Sequence, residues 1–109
     1  MKRTDPAPAK LFAALGDTTR LRLVIRLSRG EPLSIKQLAT GTRMTRQAVT
    51  RHLHVLAGAG IAAASKHGRE RRWSLDPQNL ETARQYLDRL TQQWDDALAR
   101  LKAVAEEQP

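Results

Sequence analysis

The sequence predicts a mainly α-helical fold with five helices and one short β-hairpin between the fourth and fifth helices. Apolar residues recur at the 3.6-residue spacing of amphipathic helices over the first half of the chain, whereas residues 61–75 change to the two-residue alternation of strands. After Pro77, neither glycine nor proline occurs before Pro109, which predicts one long terminal helix. The length of 109 residues is that of a single domain, which we assign to residues 1–109.

The first two helices are bounded by residues that typically begin or end a helix. Residues 1–6 are polar and contain proline, so we expect a mobile tail. Apolar residues 11–15 predict the first helix, which ends at Gly16. Asp17 is suited to cap the second helix, which ends before Gly30. The predicted apolar stripe of the second helix is Leu21, Val24 and Ile25, widened by Leu23 and Leu27.

The third and fourth helices have the spacing of a helix-turn-helix. Ser34 followed by Gln37 has the capping-box pattern and predicts a short third helix that ends at Gly41. Thr45 is suited to cap a fourth helix that reaches about Ala57, and Gly58 and Gly60 are available to end it as a left-handed C-terminal cap. Two helices joined by a four-residue turn that contains glycine form the helix-turn-helix motif.

Polar side chains share one face of the fourth helix and apolar side chains share the other. The polar face comprises Arg46, Gln47, Thr50, Arg51 and His54, with Thr45 at its start. The apolar face comprises Ala48, Val49, Leu53, Val55 and Leu56. Arginine pairs with guanine edges, glutamine with adenine edges, and threonine contacts a base or a thymine methyl group, so the polar face is suited to a DNA major groove. The alternative interpretation is that this polar face is only exposed to solvent and binds nothing. The glycine-containing turn before the helix and the hairpin after it favour DNA binding instead.

Two of the three histidines lie on this helix but cannot form one metal site. His52 falls among the apolar residues, where we expect it to pack and bond to the backbone rather than bind a ligand. His54 lies about 200° away around the helix, so the two side chains cannot hold the same ion. The sequence has no cysteine, which excludes disulfides and thiolate-bound metals. We therefore predict no metal site and no cofactor.

The hairpin, or wing, is assigned to residues 61–75 with a basic tip at 65–70. Its basic side chains are Lys66, His67, Arg69, Arg71 and Arg72. Such a tip lies along phosphates or inserts an arginine into a minor groove, and a merely solubilising loop is the alternative. We expect Trp73 to lie in the core rather than stack on a base. No second aromatic residue is near enough to form a stacking platform for single strands.

Positive charge is concentrated in the first two-thirds of the chain. Residues 1–75 hold 15 Lys and Arg against 4 Asp and Glu, whereas residues 76–109 hold 4 against 7, for a net charge of +8. This asymmetry indicates a polyanion-binding segment joined to a segment with another role. Double-stranded DNA is the predicted partner. An anionic membrane is disfavoured because the basic segment has only one Phe and one Trp to insert.

The last helix carries an apolar heptad seam. Asp76 is its predicted N-cap and Pro77 its first residue. Leu80, Leu87, Trp94 and Leu101 lie seven residues apart, and Ala83, Leu90, Ala97 and Val104 form a second series. A helix over residues 77–105 is about 43 Å long, more than a DNA-binding core of residues 7–76 can cover, although its first turns are expected to pack there. We predict a homodimer whose interface is formed by Leu87, Leu90, Trp94, Ala97, Leu98 and Leu101.

In this order the elements form a winged helix-turn-helix, and four stretches resemble the arsenical-resistance repressor, or ArsR-type, family. They are LGDTTRLRL at 15–23, close to the family's L-x-D-x-T-R-x-x-I, LSIKQLA at 33–39, TRQAVTRHLHVL at 45–56, similar to S-x-x-x-V-S-x-H-L-x-x-L, and AGI at 59–61. The resemblance covers about residues 10–106. It implies a dimeric transcriptional repressor that binds an operator through the fourth helix and the wing.

The departures from the family pattern concern metal binding. Members of the family that hold metal or metalloid with third-helix cysteines have them at positions that match Ser34 and Lys36 here. Others use Asp and His on the last helix, which in this chain has Asp88, Asp95 and Asp96 but no His. The chain therefore looks more like the metal-independent branch of the family, and its effector is unknown.

Other functions fit the sequence less well. It contains no G-x-S-x-G, H-E-x-x-H or phosphate-binding glycine loop, and its core is too small for a deep pocket, so we predict no enzyme. An architectural protein that binds DNA without sequence preference is the main alternative. A winged protein-interaction module is disfavoured because the polar helix face lacks apolar anchors. The chain has neither the apolar segment of a secretory signal nor a membrane-spanning stretch, which predicts a cytoplasmic protein.

Overall fold

A computed structural model describes residues 7–107, which form five helices and a two-stranded antiparallel sheet. The elements are α1 (Ala7–Leu15), α2 (Thr18–Leu27), α3 (Ile35–Ala39), α4 (Arg46–Gly58), β1 (Ala62–His67), β2 (Glu70–Leu75) and α5 (Pro77–Glu107). This confirms the order and type of every predicted element. The predicted mobile tail at residues 1–6 lies outside the described residues.

Each of the first three predicted N-caps is formed as expected. Asp17 accepts a hydrogen bond from the Arg20 N–H at 3.0 Å, and Thr45 accepts one from the Ala48 N–H at 3.0 Å. Ser34 and Gln37 bond reciprocally to each other's backbone N–H, which completes the capping box. These contacts satisfy N–H groups that have no partner within the helix.

The end of α4 is fixed by a glycine in the left-handed region. Gly60 has a φ of +81°, and its N–H donates to the Ala57 carbonyl at 2.9 Å. The Ile61 N–H donates to the Leu56 carbonyl at 2.9 Å, which completes a Schellman motif. Of the two glycines that the sequence offers for this role, Gly60 fills it and Gly58 remains helical. The Asn79 side chain donates to the Gly60 carbonyl at 2.8 Å and so joins the start of α5 to this turn.

The core lies where α1 to α4 meet the base of the hairpin. Five of its side chains have no solvent-accessible surface: Leu38, Val49, Leu53, Leu56 and Ile61. In α2, Leu23 and Leu27 are buried, whereas Leu21 and Ile25 are exposed, so the predicted apolar stripe was wrong at Leu21 and Ile25. Positions two residues apart lie about 200° apart around a helix, and only one of these pairs can face so small a core.

The hairpin strands are longer than the sequence pattern indicated. β1 and β2 pair from Ala62 with Leu75 to His67 with Glu70, which leaves only Gly68 and Arg69 in the turn. Lys66 and His67 therefore lie in β1 rather than in a tip loop, because Gly68, with a φ of +68°, permits a two-residue turn. Trp73 is buried, as predicted.

A third segment pairs with the hairpin, and the sequence pattern did not predict it. Leu33 forms an antiparallel bridge with Trp73 through two backbone hydrogen bonds of 2.7 and 3.0 Å. This bridge ties the segment before α3 to the middle of β2. The wing is therefore joined to the helix-turn-helix both by the chain that follows α4 and by the segment that precedes α3.

The terminal helix packs on the core only through its first turns. Asp76 accepts hydrogen bonds from the backbone N–H groups of Gln78 and Asn79, as an N-cap does. Leu80 and Ala83 are partly buried against the core, and no residue of α5 is fully buried. The molecule is 69 Å long in its greatest dimension, since the rest of α5 extends beyond the core. Across residues 7–107, no helix combines the length and the apolar character needed to span a membrane.

Candidate DNA-binding surface

The two faces of α4 differ in burial as the sequence pattern predicted. Arg46, Gln47, Arg51 and His54 are exposed and Thr50 is half-buried, together with the exposed cap Thr45. On the other face, the aliphatic residues at 49, 53 and 56 are fully buried. Val55 was assigned to the apolar face but is 45% exposed, because it lies at the boundary between the two faces.

The hydroxyl group of Thr50 is already bonded within the helix. Its Oγ1 donates to the Arg46 carbonyl at 2.8 Å. The hydroxyl proton is therefore used, and the side chain presents its oxygen lone pairs and its methyl group. Thr50 is suited to accept a hydrogen bond from a base amino group or to contact a thymine methyl group.

An arginine from α2 holds α4 in place from the inner side. The Arg20 side chain donates from Nε to the Ala14 carbonyl at 2.7 Å, and its Nη1 lies 3.4 Å from His52 Nδ1. The predicted backbone partner of His52 was therefore wrong; its partner is a guanidinium, which lies 32 residues away in the chain. Because arginine has no acceptor, Nδ1 of His52 accepts in this contact.

The backbone N–H of Arg20 also lowers the pKa of Asp17. The pKa of Asp17 lies below its ordinary value chiefly because the carboxylate accepts the Arg20 N–H. Burial opposes this shift, and the nearby positive charge of Arg20 adds to it. The cap of α2 and the inner side of α4 thus belong to one polar cluster.

The basic side chains of the wing differ in whether they already have a hydrogen-bond or ion-pair partner. Arg72 is paired with Glu70 at 2.8 Å, and His67 contacts the Ser65 hydroxyl at 3.0 Å. Lys66 and Arg71 are directly opposed in the strand register, on the same face of the hairpin as Trp73. Lys66 and Arg69 make no side-chain hydrogen bond or ion pair with the part of the chain that the structure describes.

Trp73 connects the wing to the exposed face of α4. Its indole lies 6.0 Å from the His54 ring and 5.9 Å from the Arg71 guanidinium. The alternation of β2 predicted that Trp73 is buried but gave no information on what surrounds it. The structure thus brings one residue of the predicted α4 surface and one of the predicted wing surface to the same ring.

The described residues offer no grouped metal ligands. Among residues 7–107, no three His, Asp or Glu side chains lie close enough to hold one ion, and the sequence has no cysteine. Ser34, at a position where some ArsR-type proteins have a metal-binding cysteine, is instead the cap of α3.

The comparisons with known proteins agree with this geometry. Residues 5–63 match the helix-turn-helix domain family. The HTH-type transcriptional regulator Rv2034 of Mycobacterium tuberculosis is 38% identical over 95 residues, 87% of this chain and 85% of Rv2034. The structure of an ArsR-like transcriptional regulator from Rhodococcus sp. RHA1 matches with a TM-score of 0.76 and 36% identity, over 91% of this chain and 92% of that chain. The chain belongs to the ArsR family of transcriptional regulators.

Family membership confirms the predicted winged helix-turn-helix and the function of a sequence-specific DNA-binding regulator. A second similar ArsR-type structure is the cadmium metal-sensor CmtR of Mycobacterium tuberculosis, with a TM-score of 0.58 and 38% identity. That match covers 67% of this chain and 75% of CmtR. Cadmium is a soft metal that prefers thiolate ligands, and this chain has no cysteine to supply one.

Proposed function

We propose that this ArsR-family regulator represses transcription as a homodimer bound to an inverted-repeat operator. The observation that carries the proposal is the separation of α4 into an apolar face, whose Val49, Leu53 and Leu56 are fully buried, and a largely exposed polar face beside a basic wing. In this arrangement the core holds the helix rigidly while its polar side chains remain available to a DNA groove.

Base contacts are assigned to the exposed face of α4. The proposed residues are Thr45, Arg46, Gln47, Thr50, Arg51 and His54. Neither Arg46 nor Arg51 pairs with a carboxylate among residues 7–107, so neither must break an ion pair to bind DNA. Arginine reads guanine and glutamine reads adenine through bidentate hydrogen bonds in the major groove.

Backbone or minor-groove contacts are assigned to the wing, through Lys66, His67, Arg69, Arg71 and Arg72. The opposed cations Lys66 and Arg71 repel each other across the strand pair, and a phosphate placed between them would relieve that repulsion. Arg72 is expected to contribute less, because Glu70 already neutralises part of its charge.

Dimerisation is assigned to the apolar seam of α5, most of which is exposed, through Leu87, Leu90, Trp94, Ala97, Leu98 and Leu101. Trp94 is 65% exposed and Leu101 is 66% exposed in the single chain, as large apolar residues rarely are without a partner. Leu90, Gln93, Trp94 and Ala97 line a depression of about 220 Å³ that is suited to a side chain of a second α5 helix.

A two-fold symmetric dimer presents two copies of α4 to one side of the duplex. Half-sites bound in this way are about 34 Å apart, or a multiple of that distance, and are related by inversion.

The absence of cysteine from the chain further supports a regulator that responds to something other than a thiolate-bound metal. The chain also carries no sequence motif that supports catalysis.

Selection of duplexes from a random pool by the full-length protein tests the proposal. We expect an enriched inverted repeat that the protein binds at least about a thousandfold more tightly than random DNA at the same salt concentration. Transcription from a promoter that overlaps this repeat should fall when the protein is added. Equal affinity for selected and random duplexes would instead support architectural binding.

A further inference from the structure

A cavity of about 380 Å³ lies between α2 and the turn that connects α3 to α4. The residues that line it include three arginines and three apolar residues: Arg22, Arg26 and Arg43 with Leu23, Leu38 and Met44. No carboxylate lines it. The volume is within the range of small-molecule sites.

The three arginines leave positive charge available at this cavity. None of them forms an ion pair with the described part of the chain. Arg26 is fixed by a hydrogen bond from Nη1 to the Leu38 carbonyl at 3.2 Å, and it keeps further donors. Three guanidinium groups around one partly apolar space repel each other unless an anion lies between them.

We propose that this cavity binds a small organic anion, a carboxylate or a phosphate ester with an apolar body. The guanidinium groups bind the charged end by charge-assisted, bidentate hydrogen bonds, and the side chains of Leu23 and Met44 contact the apolar end. A DNA phosphate needs only the charged half of such a site. The apolar wall therefore favours an organic anion over the DNA backbone as the occupant.

The location of the cavity couples its occupant to DNA binding, a step that rests on the proposed function. Arg43 and Met44 line it and directly precede Thr45, the cap of α4. A bound anion cancels positive charge next to the surface proposed to bind DNA and competes for Arg43. We expect the anion and DNA to weaken each other's binding by the same factor, as linkage requires.

The test of the site itself requires no DNA. Benzoate and phenyl phosphate are titrated into the full-length protein while backbone amide chemical shifts are recorded, and the two probes distinguish carboxylate from phosphate chemistry. We expect saturable shifts at Gly41 and Thr42 with at least one probe, and none at Arg100 on α5. Benzamide lacks the charge and inorganic phosphate lacks the apolar body, so both should bind more weakly.

Variants connect the binding to the arginines. The double substitution Arg22→Gln with Arg43→Gln should weaken the better probe by about tenfold or more, since a hydrogen bond to a charged group is worth at least that factor. Arg100→Gln, which removes an exposed charge from α5, should change nothing. Equal binding of benzamide, or equal binding by the double variant, would overturn the site. Shifts caused by duplex DNA but by neither probe would make a DNA phosphate the occupant and would also overturn it.

The coupling is tested separately by measuring operator affinity with and without a saturating probe. Weaker operator binding in the wild type, and no change in the double variant, would support it. A probe that occupies the cavity and leaves operator affinity unchanged would overturn the coupling. If no sequence-specific operator exists, the proposed function fails while the binding test still decides the site.

Discussion

The imidazole of His54 lies 6.0 Å from the indole of Trp73, with the two ring planes tilted by 50°. This contact joins the exposed face of α4 to the wing. The guanidinium of Arg71 approaches the same indole. The backbone of Trp73 is anchored by its bridge to Leu33. Trp73 is buried, so its contacts hold the base of the wing against α4 and set the spacing between the groups proposed to read bases and those proposed to bind phosphates.

Substitution of Arg46 or Gln47 by alanine tests the base-reading role of α4. Each change should weaken operator binding by about 1 to 3 kcal/mol and relax the preference for the base concerned. Both side chains are exposed, so folding should be unaffected. Titrations of operator and random duplexes at one salt concentration provide the measurement, with Arg100→Ala as the matched control. Equal losses on both duplexes would contradict base reading.

The salt dependence of binding tests the wing. Removing Lys66 and Arg69 together should reduce the slope of log affinity against log salt by about 0.9 for each lost phosphate contact. Arg72→Ala should have a smaller effect because Arg72 is paired with Glu70. Arg84→Ala serves as a control, since Arg84 is ion-paired within α5. An unchanged slope in the Lys66, Arg69 double variant would contradict the assignment.

The helices and the polar face of α4 could be predicted because both depend on local chemistry. A cap such as Ser34 bonds to a backbone group three residues away, and the 3.6-residue period alone places Arg46 and Thr50 on one face. The glycine at 60 was likewise visible as a helix end, since the left-handed conformation favours that residue.

The structural features that the sequence did not predict depend on contacts between segments that are distant in the chain. The partner of His52 lies on α2, and Leu33 meets Trp73 only after the hairpin folds back on α3. Both Leu21 and Leu23 were predicted to be apolar contacts, and which of the two is buried depends on which side of α2 faces the core. The strand pairing that extends to His67 depends on a turn of only two residues, which periodicity alone does not fix.

The turn after α4 can be tested with two glycines that lie two residues apart. Gly60→Ala should destabilise the protein by about 1 to 2 kcal/mol from the left-handed backbone alone. The clash adds to this, because a Cβ there would lie 2.7 Å from Asn79 Nδ2. Gly58 is helical with no atom within 4 Å of its Cβ position, so Gly58→Ala should stabilise by up to about 1 kcal/mol. Urea unfolding at one protein concentration measures both; equal effects would contradict the assigned turn.

Metal ions should not alter operator binding. We expect zinc, nickel, cadmium and arsenite to favour neither the free nor the bound state, because the chain has no thiolate and no three His, Asp or Glu side chains within residues 7–107 lie close enough to hold one ion. Operator affinity should stay constant as each is titrated, with a chelator as the control. A loss of about tenfold or more, corresponding to 1.4 kcal/mol, that the chelator reverses would contradict metal independence.

The seam of α5 predicts that dimerisation and operator binding are lost together. Trp94 and Leu101 are largely exposed in one chain, and two α5 helices placed side by side would bury them. Trp94→Ala should then cost the dimer about 3 to 5 kcal/mol if the indole is fully buried in it. One half-site binds weakly by itself, so operator affinity should fall at protein concentrations where the variant has dissociated. Gln92→Ala, on the opposite side of α5, should leave both properties unchanged. Sedimentation equilibrium at micromolar concentration decides the matter, because a monomeric wild type that still binds its operator tightly would contradict both the dimer and the inverted repeat.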